Sequence, residues 1–165
     1  MAGSAPAPGT EFLCEVSITL AADAPLAVGA SPWRNRRVSD IVGGRFAGPR
    51  LNGAVRASGA DWSEGGSAAD GGIATALDVR SLWQTDDGAL IYVTYGGRLV
   101  VPAARVAAFR DPAALASLDP GAYYFRICPL FETSAPGYAW LNEIVAIGMG
   151  RRTADGVVYQ VYRVT

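Results

Sequence analysis

Alternation of hydrophobic and polar residues runs through much of this chain and predicts strands rather than helices. From Val16 to Leu20 every second residue is apolar and the residues between them are polar, as in a half-buried strand. The same period recurs in 73–84 and 89–95, which the Asp87-Gly88 pair joins as a tight hairpin. Further strands are predicted for 12–20, 122–133, 138–151 and 157–165.

A glycine-rich stretch, 42–62, is predicted to form two more strands that meet near Gly48-Pro49. Glycine inside strand-like sequence marks a bulge, a sharp bend or a close backbone approach. Strands that curve this strongly are typical of a sheet that closes on itself. The fold class predicted is therefore all-β, a single closed antiparallel β-barrel of about eight or more strands.

The remaining segments add little regular structure. Alanine-rich 102–118 is the one helix candidate, and Asp111-Pro112 interrupts it, which leaves at most one or two short helical turns. Residues 1–11 are predicted to be a disordered lead-in, and 12–165 a single barrel domain. Segments 21–37 and 63–72 are interpreted as connections. A cluster of arginines in the first of these is interpreted as a solvated face, with an anion contact as the alternative: Arg34, Arg36 and Arg37.

Composition narrows the chemistry. The 165 residues include no histidine and no lysine, and all 14 basic residues are arginine. Catalytic triads built on histidine, lysine Schiff bases and histidine-held zinc are excluded, and two cysteines are too few for a structural zinc site. Neither a metal nor a cofactor is expected. Any proton transfer must use a carboxyl group, a tyrosine, a cysteine or a bound water.

Charge and hydropathy also bear on partners. A net charge of -1 gives no electrostatic footprint for nucleic acid or for an anionic membrane. The N-terminus lacks the basic head and apolar run of a signal peptide, and no apolar stretch reaches the ~18 residues of a membrane helix. We therefore expect a cytoplasmic protein with a small-molecule partner, no nucleic acid and no membrane.

Asp61 and Trp62 end the glycine-rich stretch and form its sharpest chemical feature. A carboxyl group held against an indole in a dry pocket has a raised pKa, so it can exchange a proton near neutral pH. The alternative is that Asp61 caps the turn into the loop at Ser63 and that Trp62 is ordinary core. Both interpretations stay open at this point.

The predicted strand 122–133 separates cleanly by parity. Tyr123 to Phe131, taken every second residue, is an apolar or aromatic face, whereas Arg126 and Glu132 share the mixed face. Arg126 is placed to meet Asp78 of a neighbouring strand in an ion pair. These charges form either an outer salt-bridge ladder or part of a cavity.

A second aromatic group and an amide occur in the predicted strand 138–151. Trp140 and Asn142 would share a strand face, a flat wall beside a hydrogen-bonding group that suits an unsaturated or carbonyl-bearing ligand. Core packing is the alternative for Trp140. Tyr92 and Thr94 add hydroxyl groups from the hairpin.

Several motifs occur together in this order: Gly48–Gly53, Gly59–Trp62, Leu77–Arg80, Thr85–Tyr92, Tyr124–Arg126, Phe131–Thr133 and Trp140–Asn142. This set resembles the domain-of-unknown-function family 3237, small bacterial and fungal proteins with a closed β-barrel. The resemblance extends from about Phe12 to the end and implies a calycin- or lipocalin-like barrel. It implies functional positions at Asp61, Trp62, Asp78, Arg126, Glu132, Trp140 and Asn142, and Asn52 lies in the first motif.

The function expected is a cofactor-independent cyclase or isomerase that folds an unsaturated, natural-product-like molecule in the cavity. Asp61 or Glu132 would move a proton and Arg126 or Asn142 would polarise a carbonyl. The substrate-binding wall would comprise Asn52, Trp62, Asp78, Tyr92, Trp140 and Asn142. A hydrolase or lyase using carboxylate-activated water is the neighbouring alternative, and a non-catalytic barrel for small hydrophobic ligands is another. A homodimer is a further possibility.

Overall fold

The structure, a computed structural model, describes residues 6–165 and is built almost wholly of antiparallel strands. β1 begins at Thr10, two residues before the predicted strand start, and residues 1–5 of the predicted lead-in lie outside the described residues. The strands are β1 (Thr10–Leu20), β2 (Leu26–Ala30), β3 (Asn35–Ala47), β4 (Gly53–Asp61), β5 (Glu64–Ser67), β6 (Ile73–Thr85), β7 (Leu90–Val101), β8 (Tyr124–Glu132), β9 (Ala146–Arg152) and β10 (Gly156–Val164).

Eight of these strands close into a barrel. Their order is β1-β10-β9-β8-β7-β6-β4-β3, and β3 pairs back with β1 to complete the ring. β2 extends the sheet from β3, and β5 lies against β3 and β6 beyond the end of β4. The predicted closed antiparallel barrel is therefore confirmed.

The glycine-rich strands bend where predicted. The register between β3 and β4 shifts between Asp40 and Gly44, and that between β4 and β6 shifts between Val55 and Gly59. Gly59 has a φ of +98°, and a Cβ there would lie 2.0 Å from the carbonyl oxygen of Arg80. Only glycine fits this close approach of two backbones, so it allows β4 to curve around the barrel.

Helical structure is sparse and short. The helices α1 (Val106–Arg110) and α2 (Pro112–Leu115) are separated at Asp111, whose side chain accepts a hydrogen bond from the backbone NH of Ala113 at 3.0 Å. The predicted strand 138–151 is wrong over its first half, because Pro136–Glu143 forms 3-10 turns before β9 begins. The Tyr138 backbone NH donates to the carbonyl oxygen of Ala135 at 3.0 Å, so this local turn takes the donor that a strand ladder would need.

The two ends of the barrel differ. At one end, called the closed end below, Phe46 stacks on Trp83 with ring centroids 4.7 Å apart, and Phe131 meets Trp83 edge-on at 6.1 Å. Leu141 of the 3-10 turns is fully buried there. At the other, the open end, β4 finishes at Asp61, β9 finishes at Arg152, and α1 and α2 follow β7. No helix within residues 6–165 is long and apolar enough to cross a membrane.

Candidate active site

A cavity of about 1130 Å³ enters the barrel from the open end. Many of the residues around this space are small. They are Ala21, Ala22, Ala24, Ser39, Ser63, Gly65, Gly66, Ser67 and Ala154. The volume is sufficient for a drug-sized ligand.

Asp61 lines this cavity from the last position of β4. It is half-buried, and its Oδ1 accepts a hydrogen bond from the backbone NH of Asp78 on β6 at 3.3 Å. The structure thus joins the carboxyl group to the adjacent strand rather than to the turn at Ser63. This contact fixes the side chain in the cavity wall.

The surroundings of Asp61 shift its titration. Burial raises the pKa of the carboxyl group from 3.8 to about 6, and the nearby Asp78 carboxylate adds to the rise. The hydrogen bond from the Asp78 backbone and the positive charge of Arg37 offset part of it. Asp61 therefore changes protonation state close to neutral pH, which suits a general base or acid.

Two buried tyrosines share the cavity with Asp61. Tyr95 of β7 and Tyr159 of β10 both line it, and their rings meet edge-on with centroids 5.6 Å apart. Burial is the main cause that raises the pKa of both hydroxyl groups, and the Asp61 carboxylate also raises them. Both hydroxyls therefore stay protonated at neutral pH; the Tyr159 hydroxyl donates to that of Tyr95, which leaves the Tyr95 proton for a ligand oxygen.

Strand register explains why these groups come together. Asp61 is paired with Val79 of β6, and Val79 is paired with Tyr95 of β7. Asp61 and Tyr95 thus occupy the same row two strands apart, roughly 10 Å between backbones at the usual strand spacing. Neither tyrosine was among the candidates from the sequence, although both occupy inward positions where a polar hydroxyl is uncommon.

Several predicted site residues lie on the outer surface instead. The Asp78 carboxylate pairs with Arg80 at 3.1 Å and with Arg36 at 3.9 Å. The Arg80 guanidinium also lies over the Trp62 ring, 5.3 Å from its centroid. Asp78 and Trp62 therefore belong to an outer charged cluster beside the cavity wall.

Arg126 does not meet Asp78, so the predicted ion pair between them is wrong. The β7–β8 register places Arg126 opposite Arg98, two positions along from the Gly96 that faces Asp78. Its guanidinium lies 5.0 Å from the centroid of the Tyr124 ring and donates to the carbonyl oxygen of Phe125 at 2.8 Å. The apolar face predicted for this strand does point inward, because its members from Phe125 to Phe131 are buried.

The other predicted residues lie toward the closed end. Tyr92 and Glu132 are exposed and face each other across β7 and β8. Asn142 accepts from the backbone NH of Thr133 at 2.8 Å and donates to its carbonyl at 2.9 Å, which ties the 3-10 turns to β8. Trp140 does not share a strand face with Asn142, since both lie in those turns.

Asn52 and Trp140 complete the closed end. Asn52 hydrogen-bonds both backbone groups of Gly48, through its Oδ1 at 3.3 Å and its Nδ2 at 3.0 Å, and so holds the β3–β4 turn. The Arg50 guanidinium lies 4.4 Å from the centroid of the Trp140 ring. Of the residues predicted to be catalytic or substrate-binding, only Asp61 lines the large cavity, and Arg37 of the predicted arginine cluster lines it as well.

Across residues 6–165, no group of three or more His, Cys, Asp or Glu side chains is arranged to hold a metal ion. The polar groups that line the cavity include the Asp61 carboxyl group, the two tyrosine hydroxyls, the hydroxyls of Ser39, Ser63 and Thr75, and arginine guanidinium groups.

Comparison with known proteins gives consistent matches. A family model for a protein of unknown function, DUF3237, matches residues 8–164. A UPF0311 protein of Clostridium acetobutylicum is 31% identical over 150 residues, which cover 90% of each chain. A UPF0311 protein of Rhodopseudomonas palustris is 34% identical over 129 residues, 78% of this chain and 80% of that one.

Solved structures extend the comparison. A beta-barrel like protein of Acinetobacter baumannii superposes with a TM-score of 0.79 at 35% identity, covering 98% of this chain and 99% of its own. A conserved protein of unknown function from Rhodopseudomonas palustris gives 0.82 at 28% identity, with 98% and 100% coverage. An enzyme from Penicillium herquei gives 0.66 at 25% identity, with 99% and 100% coverage.

Proposed function

Because the chain belongs to the DUF3237 family, whose fold leaves the activity open, we propose a function from the cavity: a cofactor-independent isomerase or cyclase. Its substrate is an unsaturated small molecule, and Asp61 transfers the proton. The observation that carries this proposal is the Asp61 carboxyl group, with a pKa of about 6, beside two protonated tyrosine hydroxyls in the cavity.

Asp61 supplies the base. With a pKa of about 6 it is mostly ionised at pH 7, yet it is more basic than an ordinary aspartate. It removes a proton from a C–H or O–H group of the substrate and returns that proton to a different atom. The product then has the composition of the substrate, and the step needs neither an oxidant nor a reductant.

Tyr95 supplies the matching donor, and Tyr159 supports it through a hydrogen bond to its oxygen. Removal of a proton leaves negative charge on the substrate, most stably on an oxygen conjugated with the reacting carbon. A hydroxyl group held in place before the reaction stabilises such charge more than water does, because it needs no reorganisation. Burial of both rings holds these hydroxyls in place.

The cavity wall supplies orientation. Leu77, Val79, Leu99 and Phe125 line it and would hold an apolar chain against the polar groups. Orientation of reacting groups can lower a barrier by roughly 7–11 kcal/mol. The similarity to the Penicillium herquei enzyme supports an enzymatic role in general, without indicating a reaction.

An isomerase or cyclase of this kind leaves the mass of its substrate unchanged, and this property gives a direct test of the proposed function. The purified protein is incubated with a small-molecule extract of the source organism, and chromatography with mass spectrometry is searched for pairs of compounds of equal mass. We expect one compound to decrease while an isomer appears. Asp61→Asn should lower the rate by about 100-fold or more, as loss of a general base does.

Asp40→Asn is the matched control, since Asp40 is exposed on the adjacent strand and outside the cavity lining. It should convert the compound at the wild-type rate. A protein that retains a ligand through purification and converts no compound would instead be a carrier, and that result would overturn the enzymatic proposal. Full turnover by Asp61→Asn would refute the role of Asp61.

A further inference from the structure

The charged side chains of the cavity are distributed unevenly. Six of them line it: Asp23, Arg37, Asp61, Arg110, Arg152 and Asp155. Asp23, Arg110 and Asp155 are exposed on the loops and helix of the open end, and the Thr153 hydroxyl donates to Asp155 at 2.9 Å. Arg37 is also exposed, at the β3 end of the lining, whereas Arg152 of β9 is half-buried; the charge of Arg37 lowers the pKa of Asp61 and that of Arg152 lowers the pKa of Tyr159.

Arg37 contrasts with its neighbour on β3. Arg36 forms ion pairs with Glu64 and Asp78 outside the barrel. Arg37 lines the cavity, and among residues 6–165 its guanidinium forms no ion pair. It lies along Gly65, where a Cβ would come 3.0 Å from Nη2. Glycine at 65 therefore leaves room for this guanidinium beside the cavity.

Arg152 approaches from β9. It is half-buried, its Nη1 donates to the carbonyl oxygen of Gly156 at 3.0 Å, and its backbone NH donates to the Tyr123 hydroxyl at 3.0 Å. A guanidinium has five N–H donors, so this one has further donors for a ligand. No carboxylate of the described chain pairs with it.

Asp61 does not neutralise this pair of arginines. Its pKa is raised rather than lowered, and Arg37 is the smallest of the four causes that act on it. Two guanidinium groups without an ion-pair partner in the described chain thus line the same cavity as a carboxyl group that is itself reluctant to ionise. A cation without an ion-pair partner is stabilised when an anion completes its hydrogen bonds, and guanidinium suits a planar anionic oxygen group best.

We infer that Arg37 and Arg152 form an anion-recognition pair, and that the ligand of this cavity carries a carboxylate or a comparably acidic oxygen group. This inference rests on the proposed function for the site it deepens, since it names the class of substrate on which Asp61 acts. The pair binds the anionic end, and the apolar wall holds the remainder of the molecule.

A matched pair of fluorescent probes tests the inference without knowledge of the substrate. 1-Anilinonaphthalene-8-sulfonate joins an apolar aromatic body to an anionic sulfonate. N-phenyl-1-naphthylamine has the same aromatic body and lacks the sulfonate. At low ionic strength, the wild type should bind the sulfonate more tightly. Arg37→Gln and Arg152→Gln should each weaken its binding by about tenfold or more, and leave the neutral probe unchanged.

Arg56→Gln is the control, because Arg56 is exposed outside the cavity and donates to Gln84 at 2.9 Å. It should leave both probes unaffected. If Arg152→Gln fails to fold, as judged by circular dichroism, Arg37→Gln decides alone, since its side chain makes no ion pair in the described chain. Equal loss of both probes, or loss of neither, would overturn the inference.

Failure of this inference is distinguishable from failure of the proposed function. Asp61→Asn should keep the preference for the sulfonate, because it leaves both arginines in place. If the protein prefers the sulfonate probe but isomerises no compound, the anion-recognition pair is supported and the enzymatic proposal is refuted. If the protein isomerises a neutral compound and shows no preference for the sulfonate probe, the enzymatic proposal is supported and the anion-recognition pair is refuted.

Discussion

The two ends of the barrel contain different kinds of residue, and the difference locates the site. At the closed end, Phe46, Trp83 and Phe131 fill the interior with stacked and edge-on rings. At the open end, small residues such as Ser63 and Gly66 leave a cavity that Asp61 and two tyrosines line. The same eight strands thus provide a packed core at one end and a cavity at the other.

The comparison of the two ends also shows the structural role of two asparagines from the sequence motifs. Asn52 and Asn142 satisfy backbone groups in the turn and the 3-10 segment that surround the closed end. Amide side chains suit this task because each offers a donor and an acceptor at once. Motifs that resemble a binding site in the sequence therefore stabilise the end of the barrel opposite the cavity.

Removal of the closed-end indole should have the largest effect on stability. Trp83 is 2% exposed and donates from Nε1 to the Ser81 hydroxyl at 3.1 Å. Trp83→Ala should lower the free energy of unfolding by about 3–5 kcal/mol, because a large cavity would remain between Phe46 and Phe131. Urea denaturation measures this. Trp33→Ala, at an 85% exposed position, should change it by less than about 0.5 kcal/mol.

At the open end, removal of the Asp61 charge should increase the free energy of unfolding rather than lower it. Folding raises the pKa of this carboxyl group from 3.8 to about 6, so its ionised form destabilises the fold above pH 6. Asp61→Asn should therefore raise the free energy of unfolding by up to about 3 kcal/mol at pH 8. The gain should shrink as pH falls from 6 toward 3.8 and be absent below that.

Denaturation of both proteins at several pH values measures this linkage, and Asp40→Asn, at an exposed carboxyl group, should give no comparable gain. A gain that is the same at pH 4 and pH 8 would contradict the assignment to Asp61 ionisation. The expected result would also mean that the site residue lowers stability, as is common where function requires a buried ionisable group.

The smallest of these effects concerns the 3-10 turns, Pro136–Glu143, at the closed end. Asn142→Ala removes two hydrogen bonds to the Thr133 backbone and should cost about 1–2 kcal/mol of unfolding free energy. Turnover and probe binding, which depend on the open end, should stay at wild-type values. Loss of ligand binding in this folded variant would contradict the division between the two ends.

The strands of the barrel could be predicted from the sequence, because alternation of apolar and polar residues is a property of each strand by itself. The parity of β8, with Phe125 to Phe131 inward, follows from alternation alone and is confirmed by burial. The orientation of Asp61 could not be read in the same way. The bulge between Val55 and Gly59 interrupts the alternation that begins with Val55, so counting positions along β4 does not show which face Asp61 occupies.

The cavity itself is a non-local property. Tyr95 follows two buried residues, Ile91 and Val93, in a two-residue period, and by pattern it is ordinary core. It borders a cavity because residues elsewhere in the lining, such as Ser63 and Gly66, are small and leave space. No pattern within one strand reports how much space the strands opposite leave.

Closure of the ring by β1 has a consequence for how the chain folds. The first strand of the barrel pairs with the last, and the Glu11 and Arg163 side chains join across them at 2.6 Å. β10 follows every other strand of the barrel along the chain, so the ring stays open until β10 is in place. Until then β1 and β9 each keep an unpaired edge, and such edges can pair with other chains.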